Sequence, residues 1–248
     1  MTAWRNWAIL GDSVIGTSHL KGGKPCQDAF RVAEVGEWLV VAVADGAGSA
    51  SRSEVGSRVA CDEAVRWACR AGVANLLAEA TCRELLDAVR EAVLAEAERL
   101  RLRPRELACT LLVAVVGPDA AAVLQIGDGA VAFGDGTGFR VPLWPEPGEY
   151  ANVTDFLTDE RYADAARFAR VDGAVSEVAV LTDGLQRLAL DFAARRPHPP
   201  FFDPLFRQLR DDPDRDTLFA RFRDFLVSPP VNARTDDDKT LVLATRQP

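Results

Sequence analysis

Four short segments of this chain end an apolar run on an aspartate that sits beside glycine or a further aspartate. They are VVAVADGAGSA (40–50), VLQIGDGAV (123–131), VAVLTDGLQ (178–186) and ARTDDDKTLVLA (233–244). Runs of this length read as buried strands, which puts each carboxylate at the rim of a core, where uncompensated charge is costly. With only two histidines in the chain, the carboxylates point to a hard, oxygen-seeking cation such as magnesium or manganese. Metal-dependent chemistry on phosphate is the expectation.

The rest of the composition fits a globular enzyme. Hydrophobic residues make up 48% of 248, ample for a core in one large domain or two small ones. The net charge of -8 argues against sequence-independent binding to nucleic acid or to an anionic membrane. Cys26, Cys61, Cys69, Cys82 and Cys109 are odd in number and contain no C-x-x-C pair. They read as small buried hydrophobes in a reducing compartment, not as a zinc site or disulfide framework. The longest apolar stretches, 39–44 and 111–117, fall far short of the ~18 residues of a membrane span. The start, MTAWRNWAILGDS, lacks a signal-peptide core, so a cytoplasmic location is expected.

Strand patterns at 7–13, 29–35 and 38–44 come first, and helical periodicity follows. Ser51 with Glu54, and Thr81 with Glu84, form capping-box patterns ahead of helical apolar spacing. A second strand group, 108–116, 121–126 and 130–133, is joined by short turns that suit antiparallel pairing. Residues 142–159 read as a long surface excursion of the kind that carries function. A strand at 178–181, a helix through Leu185, Leu188, Ala189 and Phe192, a proline interruption at 197–200, a helix over 218–226 and a last strand at 240–245 complete the pattern. Strands near both ends predict one α+β domain, 1–248 with a core of about 7–246, whose first and last strands share that core.

Taken singly, each aspartate motif fits an ordinary turn. Asp45-Gly46 and Asp183-Gly184 both follow an apolar run, and glycine lets the backbone come close enough to a ligand for its carbonyl to join the coordination. Asp236, Asp237 and Asp238 repel one another unless solvated or bound to a cation. Asp128 sits between two glycines, and a hairpin turn accounts for Asp135. There is no Walker motif and no EF-hand loop. His198 reads as a loop residue, while for His19 a structural and an active role are equally open.

Together, GTSHLKGGKPCQDAF, VVAVADGAGSA, CTLLVAV, LQIGDGAVAF, VLTDGLQ and DDDKTLVLA resemble, in order, the motifs of the metal-dependent serine/threonine protein phosphatases of type 2C, above all the short bacterial branch. The resemblance covers nearly the whole chain. It implies a four-layer α-β-β-α sandwich, two antiparallel sheets flanked by helix pairs, with two manganese or magnesium ions at one end. By motif, Asp45 would bridge both ions, Gly46 would offer its carbonyl, and Asp183 and Asp237 would bind one ion from the other side. Asp128 matches an aspartate that, with Asp183, supports a third ion. Gln27 and Asp28 fall where the family has an acidic pair that orders metal-bound water. The implied reaction is in-line attack on phosphoserine or phosphothreonine by a water bridging the ions.

Three departures from the family pattern stand out. Ala47 replaces a histidine that serves many animal members as a candidate general acid, so leaving-group protonation would fall to a metal-bound water. Lys24 is the only nearby cation where many members place a phosphate-gripping arginine, and it lacks the bidentate fork. Arg187 stands where relatives have the second aspartate of Asp-Gly-x-x-Asp. The expected partners are a phosphorylated protein and an opposing serine/threonine kinase, with a monomeric chain and no nucleic-acid or membrane partner. A catalytically silent phosphoprotein-binding relative and a small-molecule phosphohydrolase are the alternatives.

Overall fold

The structure, a computed structural model, describes residues 6–145 and 154–247. One antiparallel sheet has the order β1 (Trp7–Val14), β12 (Lys239–Arg246), β9 (Glu177–Leu181), β6 (Ala130–Gly134), β7 (Phe139–Arg140). The other runs β2 (Ala29–Val35), β3 (Trp38–Ala44), β4 (Leu111–Val116), β5 (Ala120–Ile126), β8 (Arg167–Asp172). The first and last strands pair along their length, from Trp7 opposite Arg246 to Val14 opposite Lys239.

Why the strands read as unbroken apolar runs follows from which faces they bury. In β3, Val40, Ala42 and Ala44 pack under the helices α2 (Ser53–Ala71) and α3 (Glu79–Arg99). Its alternate residues Leu39, Val41 and Val43 face the other sheet, where they meet Val131, Val178, Val180 and Val242. In β12, Val242 and Ala244 join that same central layer. Leu241 and Leu243 turn outward onto α6 (Pro199–Asp211) and α7 (Arg215–Leu226). A strand buried on both faces has no polar side to alternate with. The result is helices, sheet, sheet, helices, the four-layer α+β sandwich expected.

Register gathers one set of strand ends at one edge of the sandwich. Ala29 pairs with Ala44, Leu111 with Ile126, and Leu181 with both Ala130 and Leu241. The loops that carry Asp28, Asp45, Asp128, Asp183 and Asp237 all leave from this edge.

Several local expectations are corrected. Ser51 does not cap α2: the helix begins at Ser53, and Ser51 Oγ donates to Glu106 Oε1 at 3.2 Å. Thr81 does not cap α3 either, because that helix starts at Glu79, straight after the 3-10 turn Val73–Leu77. The helix expected through Phe192 is one 3-10 turn, Asp183–Leu185, and one α turn, α5 (Gln186–Ala189). It then breaks into a small hairpin, β10 (Leu190–Asp191) with β11 (Arg196–Pro197), which leaves Phe192 exposed. The prolines at 199–200 start α6 and do not interrupt the chain: proline suits the first helical positions, where no N–H partner is needed. Edge strand β8, with three charged residues among its six, was not anticipated, nor were α1 (Thr17–Gly22), α4 (Tyr162–Ala165) and α8 (Pro229–Asn232). Of the 142–159 excursion, 146–153 lie outside the described residues. Its far end is no surface loop, since Leu157 is fully buried and its N–H donates to the Cys109 carbonyl at 2.8 Å.

Candidate metal centre

Asp28 ends the loop into β2 and is buried. Two hydroxyls donate to its Oδ2, Thr182 Oγ1 at 2.8 Å and Thr240 Oγ1 at 2.8 Å. Its Oδ1 is buried and has no hydrogen-bond partner among the described residues. Burial first, and the charge of Asp238 among the lesser causes, push the Asp28 carboxyl up to about 8. One oxygen is thus clamped and the other left waiting for a donor or a cation.

Asp45 follows β3 directly. Its N–H donates to Thr110 Oγ1 at 2.9 Å, and its carbonyl accepts from Thr110 N at 2.8 Å. Gly46 forms an isolated bridge with Cys109. A Cβ on Gly46 would lie 2.7 Å from the Gln27 carbonyl oxygen and 2.8 Å from Ser53 Oγ, so only glycine lets the Asp45 loop close onto the Asp28 loop. Burial, then the charges of Asp28, Asp183 and Asp237, raise the Asp45 carboxyl well above the usual range.

Asp183 opens the 3-10 turn after β9, and its Oδ1 is also buried without a hydrogen-bond partner among the described residues. Burial and the neighbouring Asp128 raise it to about 6. Gly184 packs against the last turn before β12 so closely that a Cβ would lie 2.1 Å from the Asp238 carbonyl oxygen. Asp128 accepts from Thr154 Oγ1 at 3.0 Å through Oδ2, and its carbonyl accepts from Gln186 Nε2. Asp128, Asp183 and Asp237 line one polar cleft of about 500 Å³ with Gln186, Arg187 and Arg234. A second cavity of about 500 Å³, between α6 and α7, is apolar and is lined by Leu188, Phe201, Phe222 and Phe225.

Asp238, 2% exposed, does a different job from its neighbour Asp237. It accepts from Gly16 N at 2.6 Å, Gln27 N at 2.6 Å and His19 Nδ1 at 2.9 Å. That fastens the Gly16–His19 and Gln27 segments to the start of β12. His19, Asp237 and Asp238 bring ligand atoms within 4.8 Å of one another. With Asp238 already accepting three hydrogen bonds, this trio reads as the wall of the centre and not as a separate coordination shell.

Gln27 sends Nε2 to the Ala50 carbonyl at 3.4 Å, while its buried Oε1 has no hydrogen-bond partner among the described residues. Lys24 is exposed, donates to the Gly48 carbonyl at 2.7 Å, and does not line the cleft with Asp183 and Asp237. Asp135 accepts from Thr137 N and Oγ1 within its hairpin, away from the centre. Thr110, Thr182 and Thr240 went unnoticed in the sequence, although Thr182 and Thr240 each stand within three residues of a motif aspartate, and Asp238 was read only as one of three repelling carboxylates.

Mutually repelling carboxylates, with those of Asp28, Asp45 and Asp183 raised in pKa and with buried oxygens of Asp28, Asp183 and Gln27 unsatisfied among the described residues, form an all-oxygen donor set. That is the chemistry of a site for hard divalent cations.

Comparison with known proteins agrees. The protein phosphatase 2C family matches residues 15–226. Serine/threonine-protein phosphatase 3 of Escherichia coli (strain K12) is 40% identical over 252 residues, covering 96% of this chain and 98% of that one. The fold is similar to that of serine/threonine phosphatase Stp1 from Staphylococcus aureus, with a TM-score of 0.68 at 14% identity over 100% of this chain and 98% of that one. It is also similar to RsbX, solved in complex with magnesium, with a TM-score of 0.60 at 14% identity over 99% and 98%. The chain belongs to the protein phosphatase 2C family.

Proposed function

We propose that Asp45, Asp183 and Asp237, with the Gly46 carbonyl, hold two manganese or magnesium ions, and that Asp128 with Asp183 can hold a third. As a member of a metal-dependent phosphatase family, the protein hydrolyses phosphoserine and phosphothreonine in phosphorylated proteins. The observation that carries the assignment is the convergence of Asp28, Asp45, Asp183 and Asp237 at one edge of the sandwich, with each of the first three raised by burial and by its carboxylate neighbours.

Divalent ions bound there would activate water for in-line attack and offset charge on the phosphoryl oxygens. The chain's own residues hold the geometry. Thr182 and Thr240 fix one oxygen of Asp28 so that the other, with Gln27 Oε1, can orient water by accepting its protons. Lys24, fastened to the Gly48 carbonyl, is assigned the phosphate contact on the Asp45 side. Asp238 keeps the flanking segments in place. Residues 7–246 act as one phosphatase domain, a reading supported by the pairing of β1 with β12.

The protein is taken to work as a cytoplasmic monomer opposite a serine/threonine kinase, and its five free thiols suit a reducing compartment. Among the described residues no helix is long and apolar enough to cross a membrane. The test is hydrolysis of a phosphothreonine peptide and an aryl phosphate, with manganese and with chelator. Turnover that survives the chelator contradicts the assignment.

A further inference from the structure

The cleft above the carboxylates is not uniformly acidic. Arg187 and Arg234 line it beside Thr235 and Phe192. Arg187 lies on the single α turn after Asp183, and Arg234 lies between α8 and Asp237. Both are exposed. Among the described residues neither guanidinium has a hydrogen-bond or ion-pair partner. Some other surface arginines are engaged, such as Arg83 with Glu79, Arg99 with Glu96 and Arg223 with Asp12, so it is the place of Arg187 and Arg234 on this cleft that sets them apart.

Depth separates most of the charge. The carboxylates that would draw in a metal-bound phosphoryl group, Asp128, Asp183 and Asp237, are half-buried at the floor, and the two exposed arginines stand at the rim, where exposed Asp236 is the one acidic lining residue among the described residues. A peptide whose phosphate reaches the floor carries its neighbouring residues across that rim. A guanidinium is the side chain that takes a carboxylate with two parallel hydrogen bonds.

We propose that Arg187 and Arg234 select phosphoprotein segments that carry an acidic side chain next to the phosphorylated residue. The inference rests on the phosphatase function proposed above and names its substrate class. A competing role, merely offsetting the charge of the floor, would act on every substrate alike, so comparison between substrates separates the two.

Two phosphothreonine peptides that differ only in glutamate or lysine flanks are assayed at saturating manganese, with an aryl phosphate as the flank-free reference. The glutamate peptide is expected to have the lower KM, by about tenfold. Arg187→Ala and Arg234→Ala should each shrink that ratio about three- to fivefold, as for a rim ion pair, and the double variant should bring it to about one. Raising the salt to 0.5 M should compress the wild-type ratio through screening. Aryl phosphate turnover by the variants should stay at the wild-type level, which also shows that they fold. A wild-type ratio near one with both peptides hydrolysed, or a ratio unchanged in the double variant, overturns the inference. Absence of metal-dependent hydrolysis of all three substrates overturns the function beneath it.

Discussion

Thr182 Oγ1 donates to Asp28 Oδ2 at 2.8 Å, joining the residue after β9 in one sheet to the residue before β2 in the other. Thr240 makes the same bond from the start of β12. Because both hydroxyls hold one oxygen, the second is aimed, and the family of bonds that orients a metal site is as consequential as its ligands. Thr182→Val and Thr240→Val should each weaken manganese binding about ten- to a hundredfold while leaving kcat at saturating metal within a few-fold of wild type. Titration calorimetry with a metal-saturated rate assay checks this. Unchanged affinity in both variants removes Asp28 orientation from the account.

The raised carboxyls make the metal-free protein pH-sensitive. A carboxyl with a raised folded-state pKa contributes stability that is fully present below its ordinary value of 3.8 and lost as pH rises through the folded value, about 6 for Asp183 and about 8 for Asp28. Melting of chelator-treated protein should therefore fall in temperature between pH 5 and pH 8. Manganese should reverse the loss, by about 2.7 kcal/mol at a hundred times its Kd, and its affinity should rise with pH over the same window. A flat apo profile contradicts the clustering of charges.

The Lys24 ammonium donates to the Gly48 carbonyl at 2.7 Å. Its ammonium is assigned to ground-state phosphate binding, so Lys24→Ala should raise KM more than it lowers kcat. Steady-state kinetics on an aryl phosphate decide it, and an unchanged KM removes Lys24 from the site.

Phe202 is fully buried on the α6 side of the sandwich, with ring centroids 5.0 Å from Phe139 and 5.1 Å from Phe201. Phe202→Ala should cost about 3–5 kcal/mol of stability without changing manganese affinity, since its layer is separate from the strand ends that carry the aspartates. Urea denaturation of the metal-free protein measures the first, calorimetry the second.

Where burial alone dictates structure, the sequence was readable. Strand β3 falls where the apolar run at 38–44 places it, and Asp45 and Asp183 stand within two residues of strand ends. Local signals failed where a distant partner competes: Ser51 caps nothing because Glu106 takes its hydroxyl, and the prolines opening α6 resemble those that end helices. The clamp on Asp28 was hidden for the same reason, since its two threonines lie more than a hundred and fifty residues away in sequence. Arg187 appeared only as a departure from a motif, and Arg234 drew no notice. Their shared place on the rim depends on loops that only the folded sandwich brings together.

The central claim is that this carboxylate cluster is the hydrolytic metal centre. The most direct measurement is kcat on a phosphothreonine peptide at saturating manganese for wild type, Asp45→Ala and Asp237→Ala, with folding of each variant checked by circular dichroism. Both variants are predicted to lose activity on the order of a hundred- to a thousandfold while remaining folded. Wild-type turnover by either folded variant would contradict the account.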